Sequence, residues 1–315
     1  MNYVEQEMVL HTESSFGGDV PIAISTAVFS QLEHTLRPCV RMAIEGTSVS
    51  IGAPPSWLER ASDIRTLGFS SRDGNTVLHL KAPRLVDAAP RIFEQQSLFP
   101  SIASPNDTAI QVLSKITQEV GRRDPSGDVY DRQLLRRFSN WKGILNHGLI
   151  GLDIPDNADG TSNRTILDVH VAESAQVLSN QTPSPRQVRV VGKLDMVRYS
   201  TRSFGLQLDN GDEVRGVLVD GTSEILQAYL GKEVTILGKA IYRPSGNLLR
   251  LDASEILESI EGRSAFSTIP LSFAGPRRVD RKLQTMGRGV SAFFGTWPGD
   301  ETDDELLREL AELRH

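Results

Sequence analysis

The sequence predicts an α+β protein whose first half mixes helices with strands and whose second half contains a small five-stranded β-barrel. Apolar residues recur at helical spacing within residues 25–36 and 107–120. They alternate at strand spacing on both sides of residues 72–75 and again between residues 187 and 258. The chain therefore divides into a mixed N-terminal module, residues 1–172, and a barrel, residues 187–258.

The N-terminal module is predicted to contain three helical segments and a hairpin. The first helix runs through Val28 and Leu36, and Pro38 is expected to kink or end it. Arg72-Asp73-Gly74-Asn75 forms the turn of a hairpin between residues 66–69 and 76–80. Helices follow over 107–120, with Gly121 as a stop, and over 129–145. Residues 165–171 look like a strand, and the polar stretch 173–186 is expected to be an interdomain linker.

The barrel is predicted from an order of three strands, a short helix and two more strands. The first strand covers 188–198, with Gly192 as an expected bulge, and Asp209-Asn210-Gly211 is expected to form a tight type I′ hairpin turn. The helix covers 222–230, and the last strands follow near 234–242 and 248–253. This element order is typical of an OB-type barrel.

Composition and charge narrow the classes of function. The net charge is −6 and the pI is about 5.6, which disfavours general affinity for nucleic acid. A single cysteine, Cys39, suits a reducing cytosol. No signal peptide or membrane-spanning segment is recognisable, so the sequence predicts a soluble cytoplasmic chain.

Catalytic and metal-binding motifs are weak in this sequence. The phosphate-binding loop, the nucleophile elbow and the zinc-protease helix all lack a match, so a non-enzymatic chain without cofactor or metal is expected. Asp168 and His170 would share one face of a strand and could form an acid/base pair, although a structural hydrogen bond is the better interpretation.

The two loops at one end of the barrel suggest a site for single-stranded nucleic acid. Loops of this kind commonly bring aromatic and basic side chains to bases and phosphates. The candidate residues are Arg198, Tyr199, Arg202, Tyr242 and Arg243. Residues 186–258 hold ten basic and ten acidic side chains, however, so the barrel has no net attraction for a phosphate backbone.

The C-terminal residues change abruptly in charge and composition. A basic linker, residues 259–289, precedes an acidic tail, residues 290–315, with seven acids in its last seventeen residues. Thr302 and Glu305 form a capping box for an amphipathic helix that needs a surface to cover its leucines. Binding to a partner protein is predicted for the aromatic and leucine residues Phe293, Phe294, Trp297, Pro298, Leu306, Leu307, Leu310 and Leu313.

The tail resembles the toxin-neutralising tails of antitoxins that are paired with PIN-domain ribonucleases. The resemblance lies in Phe294-Gly295-Thr296-Trp297-Pro298-Gly299-Asp300-Glu301-Thr302 and the acidic, leucine-rich helix after it. It implies an extended aromatic segment and a helix that wrap a toxin and obstruct its acidic active site. Those antitoxins are usually short, whereas here about 290 residues precede the tail.

A second resemblance spans most of the chain. Residues 52–59, 73–78, 190–195 and 243–246 are similar to a family of bacterial proteins of the same layout, and this similarity implies no activity. The sequence therefore favours an antitoxin-like regulator or inhibitor that binds a PIN-type ribonuclease through its tail. The alternative is a single-stranded nucleic-acid-binding protein that uses the barrel loops.

Overall fold

The N-terminal module is built on an antiparallel sheet. The computed structural model describes residues 2–14, 16–49, 53–94, 101–157, 164–221 and 223–259. The five strands of the sheet pair in the order β2-β3-β1-β4-β5. They are β1 (Tyr3–Thr12), β2 (Arg65–Arg72), β3 (Asn75–Pro83), β4 (Leu149–Pro155) and β5 (Arg164–Asp168).

The helices of this module share one large apolar core with the sheet. They are α1 (Ile22–Glu45), α2 (Ser56–Ala61), α3 (Leu85–Ala88), α4 (Pro90–Phe93), α5 (Ala109–Arg122), α6 (Arg132–Ser139), α7 (Lys142–Leu145) and α8 (Val169–Gln181). Alternate residues of β1, including Met8 and Leu10, are buried in this core, because side chains alternate between the faces of a strand. Helix α5 packs against β3, β4 and β5, and α1 packs against α5.

Helix α1 continues through Pro38, so of the two outcomes predicted at this proline, a kink or an end, the end is wrong. Proline has no backbone N–H and leaves the carbonyl four residues earlier without its helical donor. That carbonyl belongs to His34, and the guanidinium of Arg137 donates to it at 3.0 Å. Arg137 thereby replaces the missing bond. Helix α1 ends at Glu45, seven residues after Pro38, and is capped by Gly46, which adopts a left-handed φ of 73°.

The hairpin of β2 and β3 is confirmed at its predicted turn. Arg72 pairs with Asn75, which leaves Asp73 and Gly74 as the two turn residues. Their φ angles are 52° and 81°, as a type I′ turn requires.

The expected linker 173–186 is largely helical, because α8 occupies Val169–Gln181. The strand expected to reach residue 171 ends at Asp168, whose carboxylate accepts a bond from the amide of Val171 and caps the helix. His170 consequently lies in α8, and the expected pairing of Asp168 with His170 on one strand face is wrong. Ala175 and Leu178 bury the inner side of α8, which packs against α6.

Two other helix boundaries differ from their predictions. Helix α5 passes Gly121 and ends at Arg122, with Arg123 in the left-handed conformation. The segment expected to be one helix over 129–145 is divided into α6 and α7, which are separated by Asn140 and Trp141. Trp141 is fully buried and donates to the hydroxyl of Thr35 at 3.0 Å, so tertiary packing determines this break.

The second half of the described chain is a closed five-stranded barrel, as the sequence predicts. Its elements are β6 (Arg186–Arg198), β7 (Ser203–Gln207), β8 (Glu213–Leu218), α9 (Ser223–Ala228), β9 (Glu233–Tyr242) and β10 (Leu248–Glu258). The closed order is β10-β8-β7-β6-β9, and only β8 and β10 pair in parallel among these strands. This is the arrangement of an OB-type barrel, which leaves no long edge open.

Two local predictions within the barrel are wrong. The bulge in β6 falls between Leu194 and Met196 and not at Gly192. At Gly192 the backbone of β7 approaches closely, because a Cβ added there would lie 2.6 Å from the carbonyl oxygen of Gln207. The turn at 209–211 has positive φ only at Gly211, and the amide of Leu208 donates to the carbonyl of Asp212. It is a three-residue loop with a left-handed glycine and not the expected two-residue type I′ turn.

The barrel and the N-terminal module belong to the same compact unit, Met1–Gly275. Each has its own apolar core, and Leu249 and Ile241 of the barrel contribute to the core of the module. Among the helices in the described part of the chain, none combines the length and apolarity needed to cross a lipid bilayer.

Candidate functional site

The predicted partner-binding residues lie outside the described residues. They are Phe293, Phe294, Trp297, Pro298, Leu306, Leu307, Leu310 and Leu313. Their role therefore stays a prediction from the sequence, as do the predicted basic linker and tail helix.

The loop between β6 and β7 is used mainly to join the barrel to the N-terminal module. Arg198 is buried, and its guanidinium donates to the carbonyl of Ile92 at the end of α4. Burial lowers the pKa of Arg198. Tyr199 begins a short 3-10 turn and is 39% exposed, and Arg202 ends this turn with a positive φ of 51°. Of these three candidates, Tyr199 and Arg202 reach the surface, whereas Arg198 does not.

The loop between β9 and β10 makes the same kind of internal contact. Tyr242 is buried at 1% exposure, and the Arg243 guanidinium lies 3.8 Å from the carboxylate of Asp128 in the module. The amide of Ser245 donates to the carbonyl of Pro125 at 2.9 Å. As surface contacts for nucleic acid, Arg198 and Tyr242 are therefore wrong predictions, because both side chains are enclosed by their own chain.

Asp131 is the centre of a buried polar cluster between the module and the barrel. As the N-cap of α6 it accepts a hydrogen bond from the amide of Leu134 at 3.0 Å. It also accepts bonds from the amide of Ser48 at 3.1 Å and from its hydroxyl at 2.5 Å. The guanidinium of Arg250 in β10 completes the set at 3.2 Å. One carboxylate thus connects the end of α1, the start of α6 and the barrel.

Arg250 is buried to the same extent as Asp131, since both side chains are 4% exposed. Its second carboxylate is Asp252, whose oxygen lies 2.7 Å from Nε. Burial alone raises the pKa of Asp131, but Arg250 and the three hydrogen bonds outweigh it and hold that pKa below the ordinary value. Burial likewise lowers the pKa of Arg250, and the two carboxylates raise it above the ordinary value. Both groups are therefore charged at neutral pH.

A second buried pair lies beside the first. Arg41 and Glu45, one turn apart in α1, are joined by a 2.6 Å contact between Nε and a carboxylate oxygen. Burial raises the pKa of Glu45, and the attractions of Arg41 and Arg202 offset this only in part.

Both pairs line a cleft of about 600 Å³ between the module and the barrel. The module contributes residues from the end of α1 and the start of α6, and the barrel contributes β9, β10 and the ends of β6 and β8. Apolar side chains, among them Val49, Val217 and Ile241, form part of its wall. A cleft of this volume is within the range of about 300–1,000 Å³ that small-molecule sites usually show.

Gly46 allows the barrel to approach the end of α1. A Cβ added at Gly46 would lie 2.1 Å from Nη2 of Arg215 in β8. Burial, followed by the repulsion of Arg250, lowers the pKa of Arg215 to about 10. The outward face of the second and third barrel strands, which OB-type barrels often use for binding, is therefore covered by the module at Arg215.

Replacing Gly46 with alanine is expected to lower the free energy of unfolding by about 2 kcal/mol. The reasons are that alanine is strained in the left-handed backbone conformation of Gly46 and that its Cβ would displace the side chain of Arg215. Gly74→Ala is the matched control, because Gly74 has a φ of 81° and an added Cβ there would meet no atom within 4 Å. Urea unfolding of both variants separates the two contributions. Equal losses in the two variants would show that the approach of Arg215 contributes nothing.

A polar network on the open face of the N-terminal sheet escaped prediction. The hydroxyl of Ser70 lies 2.6 Å from Nε2 of His79, and Nδ1 of His79 lies 3.5 Å from the carboxylate of Glu7. Arg72 binds the same carboxylate through both terminal nitrogens and lowers its pKa. The order resembles a nucleophile, base and acid, but β3, which carries His79, is hydrogen-bonded to β2 on one side and to β1 on the other. Its amides are thus engaged in the sheet, and the network is best explained as cross-strand stabilisation.

The residues at the junction left partial signals in the sequence. Asp131 precedes Leu134 and Leu135 at the spacing of an N-cap, and Arg250 is a charged residue inside the apolar run from Leu248 to Leu251. Neither signal identifies the other residue as its partner, because 118 intervening positions separate them and only the tertiary fold brings them together.

Comparisons with known proteins do not add a family to this description. The chain matches no protein-family model, no curated protein and no solved structure. Within the ranges that the structure describes, no group of three or more His, Cys, Asp or Glu side chains could hold a metal ion. The fold defines an α+β protein with a closed barrel, and any functional assignment rests on its own residues.

Proposed function

We propose that this chain is a regulator or inhibitor that binds a partner protein through residues 293–313. The resemblance of this segment to antitoxin tails indicates a PIN-type ribonuclease as the partner class. The observation that carries the proposal is the burial of Arg198 and Tyr242, which makes two of the five barrel-loop candidates unavailable to a ligand. The barrel then serves as a support, and the aromatic tail is the better binding candidate.

The tryptophans support the same conclusion. The chain has three, and two of them are accounted for by the N-terminal module. Trp141 is buried in its core, and Trp57 packs against that core. The third, Trp297, belongs to the Gly/Pro-rich tail sequence, where an aromatic anchor for a partner is expected.

The test is co-purification from the native host with the full chain and with a chain ending at residue 289. We expect the full chain to retain a small protein with spaced acidic residues, which the shortened chain loses. Thermal unfolding of both proteins is the control for the integrity of residues 1–259. Equal recovery of the same partner by both chains contradicts the proposal.

Single-stranded nucleic-acid binding is the second candidate, and the exposure of Tyr199 next to Arg202 is the observation that favours it. In the described structure, Arg198 and Tyr242 are buried and Arg243 lies near Asp128 of the module. Tyr199 and Arg202 are the two of the five candidates that reach the surface and form no ion pair with the module. We expect weak, salt-sensitive binding that decreases several-fold in the double variant Tyr199→Ala and Arg202→Ala.

Fluorescence anisotropy with a single-stranded oligonucleotide at two salt concentrations measures this effect. Lys193→Ala is the charge control, because Lys193 is an exposed cation of β6 that is outside both loops. Unchanged affinity in the double variant removes the barrel loops as a nucleic-acid site.

A further inference from the structure

The cleft between the module and the barrel carries a surplus of positive charge. Six cations line it: Arg41, Arg132, Arg136, Arg202, Lys239 and Arg250. Four carboxylates also line it: Glu45, Asp131, Asp220 and Asp252. Three of these carboxylates are already engaged by buried arginines, Glu45 by Arg41, and Asp131 and Asp252 by Arg250.

The other four cations line the cleft without such a pair. In the described part of the chain, no carboxylate lies within 4 Å of the charged nitrogens of Arg132, Arg136, Arg202 or Lys239. Arg136 and Lys239 are exposed, and Arg132 and Arg202 are half-buried. Among the lining carboxylates, Asp220 is not engaged by a buried arginine, and Glu45, which Arg41 binds, also attracts Arg202. Concentrating cations in a concave site favours the binding of an anion.

Two donors of the cleft arginines also lack acceptors. Nη1 of Arg250 and Nε of Arg132 are buried and find no hydrogen-bond partner among the described residues. Arg250 is 4% exposed, so bulk water does not easily supply the missing acceptor. A buried donor without an acceptor is costly, and an oxyanion in the cleft would offer acceptors to this arginine cluster after a small adjustment.

We propose that this cleft binds a small molecule that carries a phosphate group. A phosphate has a charge near −2 at neutral pH and several acceptor oxygens, so it balances more of the surplus than one carboxylate can. Guanidinium groups match its oxygens with pairs of parallel hydrogen bonds. The apolar part of the wall, at Val49, Val217 and Ile241, contacts the uncharged remainder of the molecule.

The experiment is isothermal titration of the full chain with inorganic pyrophosphate, with phenyl phosphate and with citrate. We expect both phosphates to bind more tightly than citrate. Replacing Arg132, Arg136 and Lys239 together by glutamine is expected to weaken pyrophosphate binding at least about tenfold, because each loses a charge-assisted contact. Arg202 is left unchanged, which separates this test from that of the nucleic-acid candidate.

A second triple variant controls for the loss of three charges. Arg91, Arg122 and Lys193 are replaced by glutamine, and none of them lines the cleft. We expect its affinity for pyrophosphate to stay within about twofold of the parent, since distant exposed charges are screened by salt. Thermal unfolding confirms that both triple variants remain folded. Absence of binding by both phosphates, equal weakening in the two variants, or a preference for citrate each overturns the proposal.

Discussion

Replacing Asp131 with alanine is expected to lower the free energy of unfolding by about 3 kcal/mol or more. The change leaves Arg250 buried with only Asp252 as its carboxylate, and breaking a buried ion pair from one side is strongly destabilising. It also removes the cap of α6 and the acceptor for Ser48. A loss of this size is a large part of the stability of a typical domain, about 5–15 kcal/mol.

A double-mutant cycle with Arg250→Ala tests whether the two residues act as a pair. We expect the double variant to lose less stability than the sum of the two single variants, by about 1–3 kcal/mol. Asp128→Ala is the control for an exposed carboxylate near an arginine, because Asp128 is 64% exposed and 3.8 Å from Arg243. Its expected cost is below about 1 kcal/mol. Strict additivity in the Asp131 and Arg250 cycle contradicts a coupled pair.

The two buried carboxyls at the junction should respond to pH in opposite directions. The folded-state pKa of Asp131 is lowered, so its contribution is present above its unfolded pKa and is lost as pH falls through the folded pKa. The pKa of Glu45 is raised, so its contribution is present below the unfolded pKa and is lost as pH rises through the folded value. Urea unfolding across pH should therefore show a growing cost for Asp131→Asn and a shrinking cost for Glu45→Gln as pH rises.

Turn residues and the spacing of apolar residues correctly predicted those parts of the fold that depend on residues close together in the sequence. The hairpin turn at Asp73 and Gly74 depends on two adjacent residues that tolerate positive φ, and the sequence displays them. The order of the barrel elements follows from alternation, which reports burial on one face. Of the kink or end predicted at Pro38, the end does not occur, because Arg137, about 100 positions later, supplies the missing hydrogen bond to the helix. Such a contact leaves no trace near the proline.

The candidate site was harder to predict, because it forms from the packing of two substructures. The sequences of the two barrel loops predicted that Arg198 would be available for binding, yet its guanidinium donates to the carbonyl of Ile92 inside the protein. The loops of an isolated barrel would face solvent, whereas here Arg198 and Tyr242 are buried and Tyr199 remains exposed. Helix α8 was missed for a different reason, since Val171, Ala175 and Leu178 have helical spacing that the surrounding polar residues obscured.

The second large expected effect concerns Trp297, whose replacement by alanine should abolish capture of the partner. The sequence Phe293-Phe294-Gly295-Thr296-Trp297-Pro298 contains three large aromatics within six residues, with a glycine and a proline among them. Glycine and proline disfavour a continuous helix, and a segment this short cannot build a core of its own. A partner pocket would therefore bury the indole, and truncating such an anchor typically costs about 2 kcal/mol or more.

Asp303→Ala is the matched control for Trp297→Ala, because it changes an acid of the same tail while keeping the aromatic sequence. Charges at the rim of an interface mainly influence the rate of association, so this variant should bind more slowly but retain the partner. Co-purification and surface-plasmon kinetics measure capture, and thermal unfolding of the isolated chain measures stability. We expect Trp297→Ala to lose the partner with an unchanged melting temperature. A lower melting temperature with undiminished capture would mean that the indole stabilises its own chain, and the anchor role would then be wrong.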